Sequence, residues 1–287
     1  MQIANQSTPA VTAKNIQLAN LAFNIHHPDS PSFNYSRTQP LPPQQYRIPA
    51  SPSNYPDHTE PDCLLQHNGY SIHLVSSLKQ RIKATTLIKQ MYALRGYNTE
   101  SASVFSHKPN EFTFLATIGD IVAGTLTLKI DSEEGLLADE LYQSEIDYFR
   151  EKGRRVCELS KLVLDPQHGS KEMIAVLFQF AYIYARNLYQ VTDFFCEVNP
   201  RHATPQRRMF GFQLIGEEKI CPRVNAPAVL LHLEHKFIKN QINSQAGTCD
   251  TNTTSRSLYP HCIPFPWINQ KSTSNLQTVQ PLQLISH

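Results

Sequence analysis

Nothing in this chain of 287 residues approaches the run of about eighteen apolar residues that a membrane-spanning helix needs. Its opening residues also lack a charged start followed by an apolar stretch. No integral membrane segment is therefore expected, and a cytoplasmic address is the default. Excess charge of one sign is missing too: the net charge is +2, which gives no electrostatic case for nucleic acid or a membrane surface. The six cysteines (63, 157, 196, 221, 249 and 262) include no C-x-x-C and no zinc-like spacing. No metal centre is expected, and Cys157, Cys196 and Cys221, in or beside strand-like runs, read as small buried hydrophobes.

The ends of the chain are short of core-forming residues. Ten of the twenty prolines fall before position 62, beside Ser, Asn and Gln. Residues 1–66 are accordingly expected to be disordered. From 240 to 287 the chain is again rich in Ser, Thr, Asn and Gln and is expected to be a disordered tail, in which the apolar patch Ile263-Pro264-Phe265-Pro266-Trp267 reads as a stray tail segment or as a docking motif. What remains, residues 67–239, has the size of a single domain.

Inside that block the pattern alternates. Ala84, Leu87, Ile88, Met91 and Tyr92 recur at helical spacing, and Gly96 stops the helix. Two β-type runs at 112–116 and 121–128 flank Gly119-Asp120, a hairpin signature, and Gly124 within the second suggests a bulge or a close backbone approach. A helix over 136–152, a strand over 156–164 and a helix over 171–189 follow. The last is apolar around most of its circumference and should lie buried against a sheet. Strands are predicted at 194–198, 212–215 and 229–233. The order strand, helix, strand over 156–198 implies a parallel pair joined by a right-handed crossover. The expected fold is α/β, a mixed and twisted sheet flanked by helices.

Glu158 is the unusual residue, a carboxylate in mid-strand with Ser160 two positions on and on the same face. Lys161 projects to the other face unless a bulge intervenes. The same pattern fits a solvent-facing position or a salt bridge to a nearby helix. The loop Pro166-Gln167-His168-Gly169-Ser170 can offer amides to a phosphate or be a plain strand-to-helix turn. Asn199-Pro200-Arg201-His202 ends a strand and leads to Arg207 and Arg208; these cationic groups suit a substrate carboxylate or an acidic partner, and suit a solvated helix face as well. Arg95 closes the first helix, where a cation is expected in any case.

Taken in order, Arg95-Gly96-Tyr97, Gly124-Thr125-Leu126-Thr127-Leu128, Glu158-Leu159-Ser160-Lys161-Leu162, Val198-Asn199-Pro200-Arg201-His202, Gly211-Phe212 and Val224-Asn225-Ala226-Pro227-Ala228-Val229-Leu230-Leu231 resemble the FeeM-type N-acyl amino acid synthases. These are members of the GNAT acyltransferase fold, related to acyl-homoserine-lactone autoinducer synthases. The resemblance implies transfer of a long-chain acyl group from acyl carrier protein to the α-amine of an amino acid, with no bound cofactor beyond the acyl-thioester donor. The autoinducer relatives' E-x-S-R falls on Glu158, Ser160 and Lys161, with lysine where they have arginine. The glycine-rich loop of coenzyme A-dependent relatives is reduced to Gln167-His168-Gly169-Ser170-Lys171. That loss favours a carrier-protein donor over acyl-coenzyme A. Where many relatives place an acidic tyrosine, Pro205-Gln206 stand.

On this reading Glu158 and Ser160 are the catalytic pair, with Glu158 the base. Arg95, Lys161, Asn199, Arg201 and His202 are the candidate substrate-binding residues, and Arg207 and Arg208 the carrier-protein docking residues. The acyl-pantetheine arm is expected between the strands of Glu158 and Phe195, its tail near Phe178, Phe180 or Tyr184. The rival readings are a coenzyme A-dependent acetyltransferase and a non-catalytic GNAT-like binding module.

Overall fold

The computed structural model describes residues 63–97, 99, 102–104, 109–222, 226–249 and 256–265. Their core is one sheet in the order β1-β2-β3-β4-β5-β6-β9-β7, with β8 pairing β9. Its strands are β1 (Cys63–His67), β2 (Tyr70–Leu74), β3 (Glu111–Ile118), β4 (Ile121–Ile130), β5 (Val156–Leu164), β6 (Asp193–Val198), β7 (Gln213–Leu214), β8 (Lys219–Cys221) and β9 (Ala226–Glu234). The helices are α1 (Leu78–Ala93), α2 (Asp139–Glu151), α3 (Lys171–Tyr189), α4 (Pro200–Phe210) and α5 (His235–Gln245). Among the described residues only β5 and β6 pair in parallel, and α3 is their crossover. The mixed sheet read from the sequence is the one found.

The β1–β2 hairpin corrects the boundary expected at 66: Cys63–Gln66 belong to a paired strand rather than to a disordered region. Its signal is Asn68-Gly69, with both residues at positive φ (45° and 79°), the pair that a tight two-residue turn prefers. Helix α1 begins where a capping box predicts: the Gln80 amide donates to Ser77 Oγ and the Ser77 amide to Gln80 Oε1.

Alternation gives the sheet two characters. Phe112, Phe114, Leu126 and Leu128 meet α3, with Tyr184 stacking on Phe112 and Phe114. The opposite face carries Glu111, Thr113, Thr127 and Lys129, continued by Glu158 and Ser160. Gly124 is the expected close approach: a Cβ there would lie 2.8 Å from Leu164 Cδ2 and 3.2 Å from Leu177 Cδ1 on α3.

The boundary expected at 239 falls inside α5, and 256–265 is not a free tail. Leu258, Tyr259, Cys262 and Ile263 are buried. Gln179 of α3 clamps the segment, donating to the Ile263 carbonyl (2.6 Å) and accepting from its amide (2.9 Å). This explains why α3 is apolar nearly all round: one side meets the sheet and another meets this segment. Periodicity shows that a helix is enclosed without showing by what. The expectation for residues 1–62, and for Pro266 and Trp267, lies outside the described residues.

Candidate active site

The strand pair β5–β6 holds register only at Val156–Asp193, Cys157–Phe194 and Glu158–Phe195. Beyond that point β5 continues to Leu164 and β6 to Val198 without pairing, so the strands part. A narrow crevice fills the gap. Leu159, Ser160, Leu162, Cys196 and Val198 line it from the strands, and Leu126 from β4. Phe178 of α3, Gln206 and Phe210 of α4 and Phe212 complete it. Of the three aromatic residues expected at an acyl tail, Phe178 lines this crevice, whereas Tyr184 packs on β3 and Phe180 is buried in the core.

A bulge shapes the β5 side. Thr125 pairs with Val163 and Thr127 with Ser160, leaving Lys161 and Leu162 opposite Leu126 alone. Lys161 takes the left-handed conformation (φ 50°), disfavoured for a residue with a Cβ. Two contacts hold it. Thr125 Oγ1 donates to the Lys161 carbonyl (2.8 Å), and the buried Lys161 ammonium meets Glu111 Oε1 at 3.0 Å. The Lys161 side chain thus reaches toward the Glu158 face and is engaged by an internal carboxylate.

Glu158 is fully buried, neither solvent-facing nor in a helix salt bridge. Its Oε2 accepts from the amides of Leu137 (2.7 Å) and Ala138 (3.2 Å), at the entry to α2. Its Oε1 is buried with no hydrogen-bond partner among the described residues. Burial pushes the carboxyl up to about 7, opposed by the Lys129 cation and those two amides. The carboxylate stands at the apex of the splay on the α2 side, while the crevice lining is mostly on the α3 side. Ser160, on the same face as Glu158, is the expected catalytic residue that reaches the lining.

The sequence reading missed Glu197. It lies two residues beyond Phe195, hence on the same face as Glu158, and is almost fully buried. Burial and the neighbouring Glu158 charge push its carboxyl up to about 8. Its signal was visible, a carboxylate inside Phe-Phe-Cys-Glu-Val. The splay is therefore flanked by Glu158, Ser160 and Glu197 on one side and by apolar residues on the other.

Arg95, Arg201 and His202 gather at the start of α4. Arg201 donates to Tyr97 Oη and, through Nε, to His202 Nε2 (3.1 Å). Arg95 is half-buried; burial, and then the nearby Arg201 cation, lower its pKa, against the pull of Tyr97. Asn199 caps α4, its Oδ1 accepting from the Arg201 amide. Arg207 and Arg208 are exposed on α4. The loop after β5 is a plain turn: Asp165 Oδ1 accepts from the amides of Gln167 and His168, and Ser170 Oγ from that of Met173. Among the described residues no helix is long and apolar enough to cross a membrane, and no group of three or more side chains could hold a metal ion.

A mixed, twisted sheet with one splayed parallel strand pair and helices on both faces is a GNAT-like fold. Residues 83–234 match the family model of N-acyl amino acid synthase FeeM, and the chain belongs to that family and is an acyltransferase. The solved structure of FeeM, an N-acyl amino acid synthase from uncultured soil microbes, aligns with a TM-score of 0.54 and 24% identity, covering 60% of this chain and 94% of that one. The autoinducer (AHL) synthase LasI also aligns (TM-score 0.44, 12% identity, 58% of this chain and 90% of that one). So does an acyl-CoA N-acyltransferase from Pseudomonas aeruginosa (0.41, 12%, 57% and 98%). A search of curated proteins found no match.

Proposed function

We propose that this acyltransferase moves a long-chain acyl group from acyl carrier protein to the α-amine of an amino acid, by direct attack of the amine on the thioester. The observation that carries the reading is the end of β5–β6 pairing at Glu158 and Phe195, with an apolar crevice on one side of the splay and buried carboxyls on the other.

The acyl-pantetheine arm lies in the crevice, its thioester near Ser160. The amino acid approaches from the side of Glu158 and Glu197, its carboxylate held by Arg95 and Arg201. An α-amine of reference pKa about 8 attacks only when neutral. Glu158, with a buried oxygen that has no hydrogen-bond partner among the described residues and a pKa near neutrality, suits the role of base, taking the proton directly or through Ser160 or a water. Nitrogen adds to the carbonyl carbon, the oxyanion forms beside the bulged backbone at Lys161–Leu162, and collapse expels the thiolate. With a thiol reference pKa of about 8.5 the leaving group needs little acid help, so Gln206 in place of a tyrosine is tolerable.

A carrier-protein donor is supported by the loop after β5, whose amides are taken up by Asp165 and Ser170. The exposed Arg207 and Arg208 suit an acidic carrier surface. The test is incubation of the purified enzyme with acylated carrier protein, or with acyl-coenzyme A, and an amino-acid mixture, read by mass spectrometry. The expected product is an N-acyl amino acid from the carrier-protein donor. Efficient transfer from acyl-coenzyme A alone would sink the reading.

A further inference from the structure

The segment 256–265 lies beyond the residues that match the family model and packs directly behind the crevice. Phe178 and Phe210, which line the crevice, stack on each other with centroids 4.8 Å apart. Behind them sits Tyr259, only 2% exposed. Its ring meets Phe178 edge-on at 6.3 Å and Phe237 at 6.2 Å, and its hydroxyl donates to the Phe210 carbonyl at 2.7 Å. The backbone is joined as well, the Leu258 amide donating to the Met209 carbonyl at 3.0 Å.

With the Gln179–Ile263 clamp, these contacts fix the segment to α3 and to the end of α4, the two elements that supply the aromatic wall. An aromatic side chain in a close-packed interior moves only if the atoms behind it give way. Phe178 has Tyr259 behind it. From this we infer that the 256–265 segment sets the depth of the acyl crevice, with Tyr259 the positioning residue that holds Phe178 and Phe210 forward and so limits acyl chain length.

The inference rests on the reading of the crevice as the acyl site. It makes the C-terminal segment a specificity element rather than a mere cover for α3. A cover would contribute stability alone, equally for every substrate. A depth stop acts on long acyl chains and leaves short ones untouched.

The test compares wild type with Tyr259→Ala, Tyr259→Leu and Tyr259→Phe across carrier-protein donors of increasing saturated chain length, measuring kcat and KM for each and folding by thermal melt. Wild type is expected to show a length cutoff, and Tyr259→Ala to move it to longer chains. Each extra methylene accommodated should raise kcat/KM for the longer donors about fourfold. Tyr259→Phe, which keeps the ring, should restore the wild-type cutoff. Should Tyr259→Ala fail to fold, Tyr259→Leu carries the comparison. An unchanged cutoff in a folded, active Tyr259→Ala or Tyr259→Leu overturns the inference and leaves the acyl-transfer reading standing. Absence of transfer to any amino acid from any donor by folded wild type overturns both.

Discussion

Glu158 and Glu197 present their carboxyl groups to the same side of the sheet, from neighbouring strands that cease to pair between them. Each is buried, and each is held above the ordinary carboxylate range, to about 7 and about 8 respectively. Each therefore keeps its proton to a higher pH than an exposed glutamate would.

Glu158→Gln should lower kcat by about 10²- to 10⁴-fold, the usual contribution of a positioned base. In wild type kcat/KM should rise as pH climbs through about 7, because the charged carboxylate is the active form. In the variant that limb should vanish, leaving only the substrate amine's own rise near pH ~8. A pH series at saturating donor separates the two; an identical limb in both proteins removes Glu158 from the chemistry.

The same substitution should be visible at Glu197. Burial is the main cause of its raised pKa and survives in Glu158→Gln, but the neighbouring charge does not, so Glu197 should titrate below about 8. Carboxyl-carbon NMR with labelled glutamate would follow it. A Glu197 titration unmoved by the change would mean that the two groups do not feel each other.

Much of this site was legible in the sequence because it is built from local pattern. The strand at 156–164 and the helix at 171–189 follow from apolar patterning bounded by Gly153 and Asp165-Pro166. Glu158 stood out as a charge inside an apolar run. What escaped was non-local. Lys161 was weighed as a substrate ligand because nothing in its neighbourhood announces Glu111, fifty residues away, as its partner. Residues 256–265 look like polar tail until α3 supplies a surface for their few apolar side chains.

The Lys161–Glu111 pair leads to a further expectation. Both side chains are largely buried, 6% and 11% exposed, so removing one leaves an uncompensated charge. Lys161→Met should cost about 3 kcal/mol in denaturant unfolding, and Lys161→Met/Glu111→Leu should recover a large part of it. If Lys161 instead binds the substrate carboxylate, the double variant would regain stability while its KM for the amino acid stayed high. A structural role predicts recovery of both.

Arg207 and Arg208 are exposed, so their replacement should leave the fold intact. Charge reversal of both to glutamate should raise KM for acylated carrier protein about tenfold, with the amino-acid KM unchanged. Added salt should weaken wild-type turnover and narrow the gap, since exposed charges are screened within about 10 Å at 0.1 M. A salt-insensitive KM in wild type would place carrier docking elsewhere.

The strand pair is also anchored at its closed end, and that anchor should be acid-labile. Asp193, at the start of β6, has a fully buried side chain that binds Arg154 through both oxygens (2.6 and 2.8 Å), with His232 Nε2 at 2.8 Å and Thr192 Oγ1 at 2.6 Å. Burial opposes ionisation, but His232, Arg154 and Thr192 together hold the carboxyl well below the usual carboxylate range. A folded-state pKa below the unfolded value of about 3.9 means that this contribution is fully present above that value. It is lost as pH falls through the depressed folded value. Asp193→Asn should therefore cost about 3 kcal/mol at neutral pH, the low end for breaking a buried pair, because Arg154 is 31% exposed and keeps Glu234 as a second partner at 3.0 Å. The gap between variant and wild type should shrink steadily below pH ~4. Urea unfolding at a series of pH values measures it, and a gap independent of pH would show that Asp193 holds the strands by packing rather than by charge.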